Sequence, residues 1–200
     1  TGVGDTLESL QGIEEHSDCS PDHFGLCEQK AYRKDRNKDK KITCFTKAPK
    51  RLTSPKNVCL TYGHDHKDDG HLPEGERRQS VISTYKIGQP NSSGLKWVIE
   101  NDKDLFWKTP KDEYLAKFTL PAIEFFFECK FEDVLLVGAD RQKEKGKPEE
   151  FWYNEAWLYR GICINKVMQA LLEGDIVLEP LWWYDPVEDR LRDRNISFRS

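Results

Sequence analysis

Apolar and polar positions alternate with different periods along the chain, and the changes of period mark out its elements. Near the start, Leu7, Leu10 and Ile13 recur at helical spacing behind Asp5-Thr6, a pair suited to capping, with acids early in the run where the helix dipole favours them. A short first helix is expected there. Ser20-Pro21-Asp22 has the composition of a turn, and residues 24–33 then read as a strand, with Leu26, Glu28, Lys30 and Tyr32 on one face and Cys27, Gln29 and Ala31 on the other. Residues 33–41 form a charged hairpin tip, 42–46 a strand, 47–56 a basic loop and 61–78 a long polar loop. Two further strands, 79–87 and 95–100, flank the turn-rich run 88–94 and predict a β-hairpin.

Leu120, Ile123, Phe126 and Phe127 predict a helix over 119–130, packed on a sheet, and the continuous apolar run 134–139 suits a central buried strand. An aromatic extended segment follows at 151–159, then a helix over 165–173 ended by Gly174, then a strand over 175–183. This order predicts an α/β fold, a central mixed β-sheet flanked by helices. Trp152, Trp157, Trp182 and Trp183 are expected in its core.

Composition narrows the class. With 200 residues, 37% hydrophobic and 33% charged, the chain has enough apolar volume for one packed core, which excludes disorder as its main state. No run approaches the roughly 18 apolar residues of a bilayer span, so a membrane protein is excluded. The six cysteines form no C-x-x-C pair and predict a reducing, cytoplasmic setting. The chain starts at Thr1 without an initiator Met, which predicts that the native N-terminus is missing. A net charge of -4 does not suggest a polyanion partner, but between Lys30 and Lys56 the charges are overwhelmingly basic.

One arrangement of carboxylates has the geometry that a metal-dependent phosphodiesterase needs. Asp22 lies at a turn, Glu28 and Lys30 share a face of the strand that follows, and Glu8 stands on the preceding helix. Asp22 and Glu28 supply two hard oxygen ligands for Mg²⁺, with an ammonium beside them and Glu8 available to a second metal or its water. Lys30 would orient the attacking water or neutralise developing charge. E-x-K triplets are common in so charged a chain. Glu128-Cys129-Lys130 is a second one, discounted because residues two apart on a helix do not share a face; Asp39 to Lys41 and Asp65 to Lys67 are read as solvated. His64, Asp65, His66, Asp68, Asp69 and His71 have zinc-ligand chemistry, but a polar loop is the preferred reading.

The resemblance goes beyond spacing. Thr1-Gly2-Val3-Gly4, Leu7-Glu8, Gly12-Ile13-Glu14-Glu15, Pro21-Asp22, Glu28-Gln29-Lys30 and Ile42-Thr43-Cys44-Phe45-Thr46-Lys47-Ala48-Pro49 resemble the N-terminal half of the MvaI/BcnI restriction endonucleases. That family is grouped with the mismatch-repair nicking enzyme MutH in the PD-(D/E)XK nuclease superfamily. Similarity continues through Val134 to Ala139, Asn154-Glu155-Ala156, Leu171-Leu172-Glu173-Gly174-Asp175-Ile176 and Arg192 to Arg199.

The resemblance implies a PD-(D/E)XK fold and a single nuclease domain over 1–200, with a catalytic half at about 1–60 and DNA-recognition elements at about 61–94 and 175–200. It implies Mg²⁺, with Mn²⁺ as a substitute, and double-stranded DNA as the substrate of a prokaryotic enzyme able to act as a monomer. Glu8, Asp22, Glu28 and Lys30 become the catalytic set. Lys47, Arg51, Tyr62, Asn154, Arg192, Arg194 and Arg199 become DNA contacts. The expected activity is hydrolysis to 5′-phosphate ends by a type II restriction enzyme. Alternatives are a MutH-like strand-nicking repair enzyme, the nuclease domain of a larger defence protein, and a catalytically silent DNA-binding module. Two departures stand out: Gln29 replaces an aliphatic residue on the buried side of the strand, and the family's terminal H-D-H-G-T-x-F-R is here Arg192-Asp193-Arg194-Asn195-Ile196-Ser197-Phe198-Arg199.

Overall fold

The computed structural model describes residues 2–13, 21–23, 25–35, 42–65, 77–101 and 104–200, with Asp193 and Arg194 described by backbone alone. In chain order the elements open with α1 (Val3–Gln11), β1 (Glu28–Arg33), β2 (Thr43–Lys47), β3 (Lys50–Arg51) and α2 (Pro55–Tyr62). Five strands follow: β4 (His64–Asp65), β5 (Gln79–Ser80), β6 (Lys96–Glu100), β7 (Asp104–Lys108) and β8 (Tyr114–Thr119). The remainder is α3 (Leu120–Lys130), β9 (Val134–Gln142), β10 (Glu150–Tyr159), α4 (Ile164–Glu173), β11 (Val177–Asp185) and β12 (Arg190–Arg199). The expected mixed α/β class is observed. The hydrogen-bonded strands form three sheets rather than one. Two compact units divide the chain, one from Thr1–Ile42 and Ile123–Val167, the other from Thr43–Ala122 and Met168–Ser200.

In the first unit a three-stranded sheet of order β1-β9-β10 is mixed: β1 runs parallel to β9 and β10 antiparallel to it. The apolar run 134–139 therefore takes the central position expected of it. Helix α1 begins two residues before Asp5, because Gly2 is its N-cap and the Asp5 carboxylate accepts the Gly2 N–H at 3.0 Å from the third helical position. Gly12, at φ 70°, closes the helix in the left-handed conformation that a Cβ disfavours. The helix lies against the face that carries Gln29 and Tyr153: Tyr153 donates its hydroxyl to the Val3 carbonyl at 2.7 Å, and Gln29 Nε2 donates to Gln11 Oε1 at 2.8 Å. The buried glutamine of β1 is thus met by a second glutamine from the helix. The first strand starts at Glu28, and His23 and Cys27 are joined instead by an isolated antiparallel bridge; Phe24, where the strand was expected to begin, lies outside the described residues.

The second unit holds a five-stranded sheet, β2-β12-β11-β5-β4, and a four-stranded sheet, β3-β8-β7-β6. Its core is aromatic. Trp97 stacks on Trp107 with centroids 5.7 Å apart, Trp107 meets Trp182 edge to face at 5.1 Å, and Phe45 stacks on Phe198 at 4.1 Å. Here several expectations are corrected. The hairpin between 79–87 and 95–100 does not form: β5 pairs with β11 and β4, Tyr85 exchanges backbone hydrogen bonds with Leu178, and β6 pairs instead with β7. Segment 81–87 is drawn along β11 by the buried side chains of Val81 and Tyr85. Part of the expected loop region is helix α2, which begins at Pro55 and buries Val58 and Cys59. Gly63 ends it, where a Cβ would lie 2.1 Å from the Cys59 carbonyl oxygen, so no other residue fits.

Of the four tryptophans expected in the core, Trp182 is buried and Trp183 is half-buried under the Arg78 guanidinium. Trp152 and Trp157 are instead 48% and 54% exposed on β10. Among the described residues no helix is long and apolar enough to cross a membrane.

Candidate active site

The site grows from the turn before β1. His23 N–H donates to the Cys27 carbonyl at 3.0 Å, Leu26 N–H donates to the His23 carbonyl at 2.9 Å, and Gly25 takes φ 71° to complete the turn. An antiparallel bridge between residues 23 and 27 sets residue 22 opposite residue 28. Asp22 and Glu28, six positions apart in sequence, are thereby brought side by side.

Glu28 is only 1% exposed, and the Glu28 N–H is tied to the Asp133 carbonyl at the start of the parallel ladder. Lys30, two residues on and on the same face, hydrogen-bonds Glu28 Oε1 and stands 5.6 Å from the centroid of the Phe131 ring. A fourth group closes the cluster. Lys130, from the last turn of α3, donates to Asp22 Oδ1 at 3.1 Å and lies 3.4 Å from Glu28 Oε2. Its own triplet lies on a helix, as expected. Its ammonium enters the first site from across the fold, a contact over a sequence separation of 108 that no local pattern reveals.

Two carboxylates and two ammoniums thus sit together in partly buried surroundings, where each charge requires a partner. Burial is the leading influence on Glu28 and raises its carboxyl above the ordinary range; Lys30 opposes that rise and the Asp22 charge adds to it. For Asp22 burial acts upward too, but the hydrogen bonds with Lys130 and Glu28 and the two lysine charges outweigh it and hold the carboxyl below its ordinary value. Lys130 loses to burial but gains more from Asp22 and Glu28, so its ammonium is held above its usual range. One environment drives two neighbouring acids apart.

The donor set fits a hard divalent cation. Asp22 and Glu28 offer carboxylate oxygens, and Glu28 Oε2 is buried with the Lys130 ammonium 3.4 Å away and no closer hydrogen bond, an oxygen that a cation could share. Mg²⁺ keeps several waters and takes one or two carboxylates plus a substrate phosphate, which matches a pair rather than a cage. Among the described residues no group of three or more acids, histidines or cysteines is arranged to hold a metal. Glu8 is half-buried on α1 and is not part of any such group.

The other residues singled out by sequence are dispersed. Asn154, exposed on β10, accepts from Lys34 at 3.1 Å and donates to Asp140 at 2.6 Å. In the second unit Lys47 ends β2, Arg51 is exposed on β3, and Tyr62 closes α2, its carbonyl accepting from Ser93 Oγ at 2.9 Å. Arg192 lies 5.3 Å from the Trp183 ring centroid, while Arg199 is ion-paired with Glu179. Arg194 is described by its backbone in β12 only, and Arg36, His66, Asp68, Asp69 and His71 lie outside the described residues.

The mixed α/β fold is of the restriction-endonuclease-like, PD-(D/E)XK type. Its overall likeness to solved structures supports that fold: the MvaI restriction endonuclease bound to its cognate DNA substrate superposes with a TM-score of 0.72 at 19% identity, over 100% of this chain and 82% of that one. MvaI in the absence of DNA gives 0.53 at 14% identity, over 97% of this chain and 77% of that one. No curated protein matches the chain. The model of the MvaI/BcnI restriction endonuclease family matches residues 1–199, and the chain belongs to that family, which places it among restriction-type DNA endonucleases.

Proposed function

We propose that this protein is a divalent-metal-dependent type II restriction endonuclease that hydrolyses double-stranded DNA to 5′-phosphate ends, using Asp22, Glu28 and Lys30. The observation that carries the reading is the 23–27 turn, which sets Asp22 against a buried Glu28 with Lys30 on the same strand face. The DNA bound to the MvaI relative supports the choice of substrate. Asp22 and Glu28 bind the cation, Mg²⁺ or in its place Mn²⁺. The bound cation supplies Lewis-acid polarisation of the phosphate and acidifies the attacking water. Lys30 orients that water and neutralises charge developing on the phosphate, from a position restrained by Glu28 and the Phe131 ring.

Lys130 balances the two carboxylates, and the charges of the four groups cancel. With that balance, a divalent cation held by Asp22 and Glu28 would leave an excess of positive charge for an anionic phosphate. Glu8 serves as an outer acid on α1. Lys47, Arg51, Tyr62, Arg192, Arg194 and Arg199 are assigned to DNA contact, and Asn154 to the contact surface beside β10.

Supercoiled plasmid incubated with Mg²⁺, with EDTA, and with a Lys30→Ala variant tests the reading. Mg²⁺-dependent conversion to nicked or linear DNA, lost in the variant, is the expected result, and the ratio of the two products separates strand nicking from double-strand cutting. Cleavage that persists in EDTA, or undiminished in Lys30→Ala, rejects it.

A further inference from the structure

Strand β10 carries a register shift between Tyr153 and Glu155, with Asn154 as the extra residue. Before the shift Tyr153 pairs with Ala139 and turns its hydroxyl to helix α1. After it Glu155, Trp157 and Tyr159 pair with Gly138, Leu136 and Val134, whose partners on β1 are Tyr32, Lys30 and Glu28. Paired residues share a face, so three rows cross the sheet: Glu28–Val134–Tyr159, Lys30–Leu136–Trp157 and Tyr32–Gly138–Glu155. With neighbouring strands about 4.8 Å apart, Tyr159 and Trp157 stand about 10 Å from Glu28 and Lys30 on one surface. They are 51% and 54% exposed.

The third row braces the second. A Cβ on Gly138 would lie 2.9 Å from Tyr32 Oη and 3.2 Å from Glu155 Oε2, so only the missing side chain lets these two groups meet over the middle strand. Glu155 Oε1 in turn accepts the Trp157 indole N–H at 2.8 Å. The indole is the leading influence holding the Glu155 carboxyl below its ordinary range, with Tyr32 and Lys34 adding to it. Trp157 is therefore fixed in orientation while half its surface faces solvent. Lys34 Nζ lies 3.7 Å from both Asp140 and Glu155, one ammonium for two carboxylates, so the strip itself offers ring faces rather than cations.

We propose that Trp157 and Tyr159 form a docking strip for the DNA next to the scissile phosphate, packing on sugar and base edges and holding that phosphate over Glu28 and Lys30. This rests on the assignment of those residues as the reaction centre. The distance suits a duplex: about 10 Å is roughly three base-pair steps along the axis, and lies between the widths of the minor and major grooves, about 6 and 12 Å. DNA seated at Lys30 covers Trp157 in either direction.

The test is fluorescence anisotropy with a labelled 30-base-pair duplex pool of random central sequence, in EDTA, over a salt series. The variants are Trp157→Ala, Trp157→Phe and Tyr159→Ala, with thermal melting as a check on folding. Trp157→Ala is expected to weaken binding by roughly 5-fold to 100-fold, with an unchanged salt slope because no phosphate contact is lost. Trp157→Phe should recover most of the affinity, and Trp157→Ala should raise KM for plasmid cleavage more than it lowers kcat. Affinity within twofold of the parent in both Trp157 variants overturns the proposal. So does a dimer that Trp157→Ala dissociates without loss of DNA affinity, which would assign the strip to a second copy of the chain. Binding is read without cleavage, so failure of the catalytic assignment, seen as undiminished cleavage by Lys30→Ala, is distinguished from failure of the strip.

Discussion

The two units bury different things. In the second, Trp97, Trp107, Trp182, Tyr85 and Phe198 are almost wholly inaccessible and touch ring to ring. In the first, a carboxylate and a glutamine, Glu28 and Gln29, are among the most deeply buried side chains, beside a smaller apolar core of Ile123, Ala139 and the touching rings of Phe127 and Phe131. Packed rings gain transfer free energy and close contact with no demand for a partner. A buried carboxylate gains neither and must be matched by cations, here Lys30 and Lys130. The second unit is built for stability, the first for a charge cluster that the rest of its fold must sustain.

The largest expected effects come from exchanging the two kinds of damage. Trp107→Ala should cost about 3–5 kcal/mol of stability, because the ring contacts of Trp97, Tyr85 and Trp182 are lost around a cavity. Glu28→Gln keeps the volume and should leave the urea midpoint close to that of the parent, while plasmid cleavage falls by about 10³-fold or more. Urea unfolding and single-turnover cleavage on both variants read the contrast. If Glu28→Gln unfolds the protein as readily as Trp107→Ala, the division into a stabilising unit and a catalytic one fails.

How far the chain's pattern revealed this depends on the range of each interaction. Glu28 and Lys30 could be paired from the chain's period of two, and their shared face is observed; the bend that sets Asp22 beside them lies between His23 and Cys27, inside the segment read as strand. Lys130 was not legible, since its helix gave a sound reason to discount its own triplet and none to place its ammonium at another. The central strand at 134–139 and the helices over 120–130 and 164–173 could be read from their periods. Helix α2 was hidden, being eight residues long, with polar and basic neighbours and only Pro55, Val58 and Cys59 buried. The hairpin expected between β5 and β6 failed because strand pairing is a choice of distant partners, settled by where Tyr85 and Trp97 bury their rings. Trp152 and Trp157 were misplaced because aromatic residues are usually buried, and no local signal announces the shift at Asn154 that re-aims β10.

A smaller effect sharpens the comparison from within the first unit. Gln29 Oε1 is buried without a hydrogen bond, although its amide donates to Gln11. Replacing both partners by apolar residues removes the unsatisfied oxygen and leaves no orphan behind. The double variant Gln11→Leu, Gln29→Leu should gain about 1 kcal/mol in urea unfolding, with cleavage near that of the parent, because both side chains lie on the face away from Glu28 and Lys30. Gln29→Leu alone should do worse than the pair, since Gln11 then loses its partner. A double variant less stable than either single one would show that the amide pair, not the apolar surface, holds α1 on the sheet.

The smallest effect is one of sign, and it asks whether burying charge truly weighs on the first unit. Glu28 titrates above its ordinary range in the fold, mainly through burial, so its contribution is fully present below its unfolded pKa and is lost as pH rises through the folded one. Asp22 titrates below its ordinary value despite burial, because of Lys130 and Glu28; its contribution is present above its unfolded pKa and lost as pH falls through the folded one. Without metal, the two acids therefore favour the fold most strongly near the ordinary carboxylate range and oppose each other on either side. Urea midpoints in EDTA from about pH 4 to pH 8 should show the parent losing stability relative to Glu28→Gln as pH rises. Adding Mg²⁺ should narrow that gap at the upper end, because a cation bound to ionised Glu28 stabilises only the folded chain. A gap that stays flat with pH would mean that Lys30 and Lys130 fully compensate the buried carboxylate, and the first unit would then carry its charge cluster without loss.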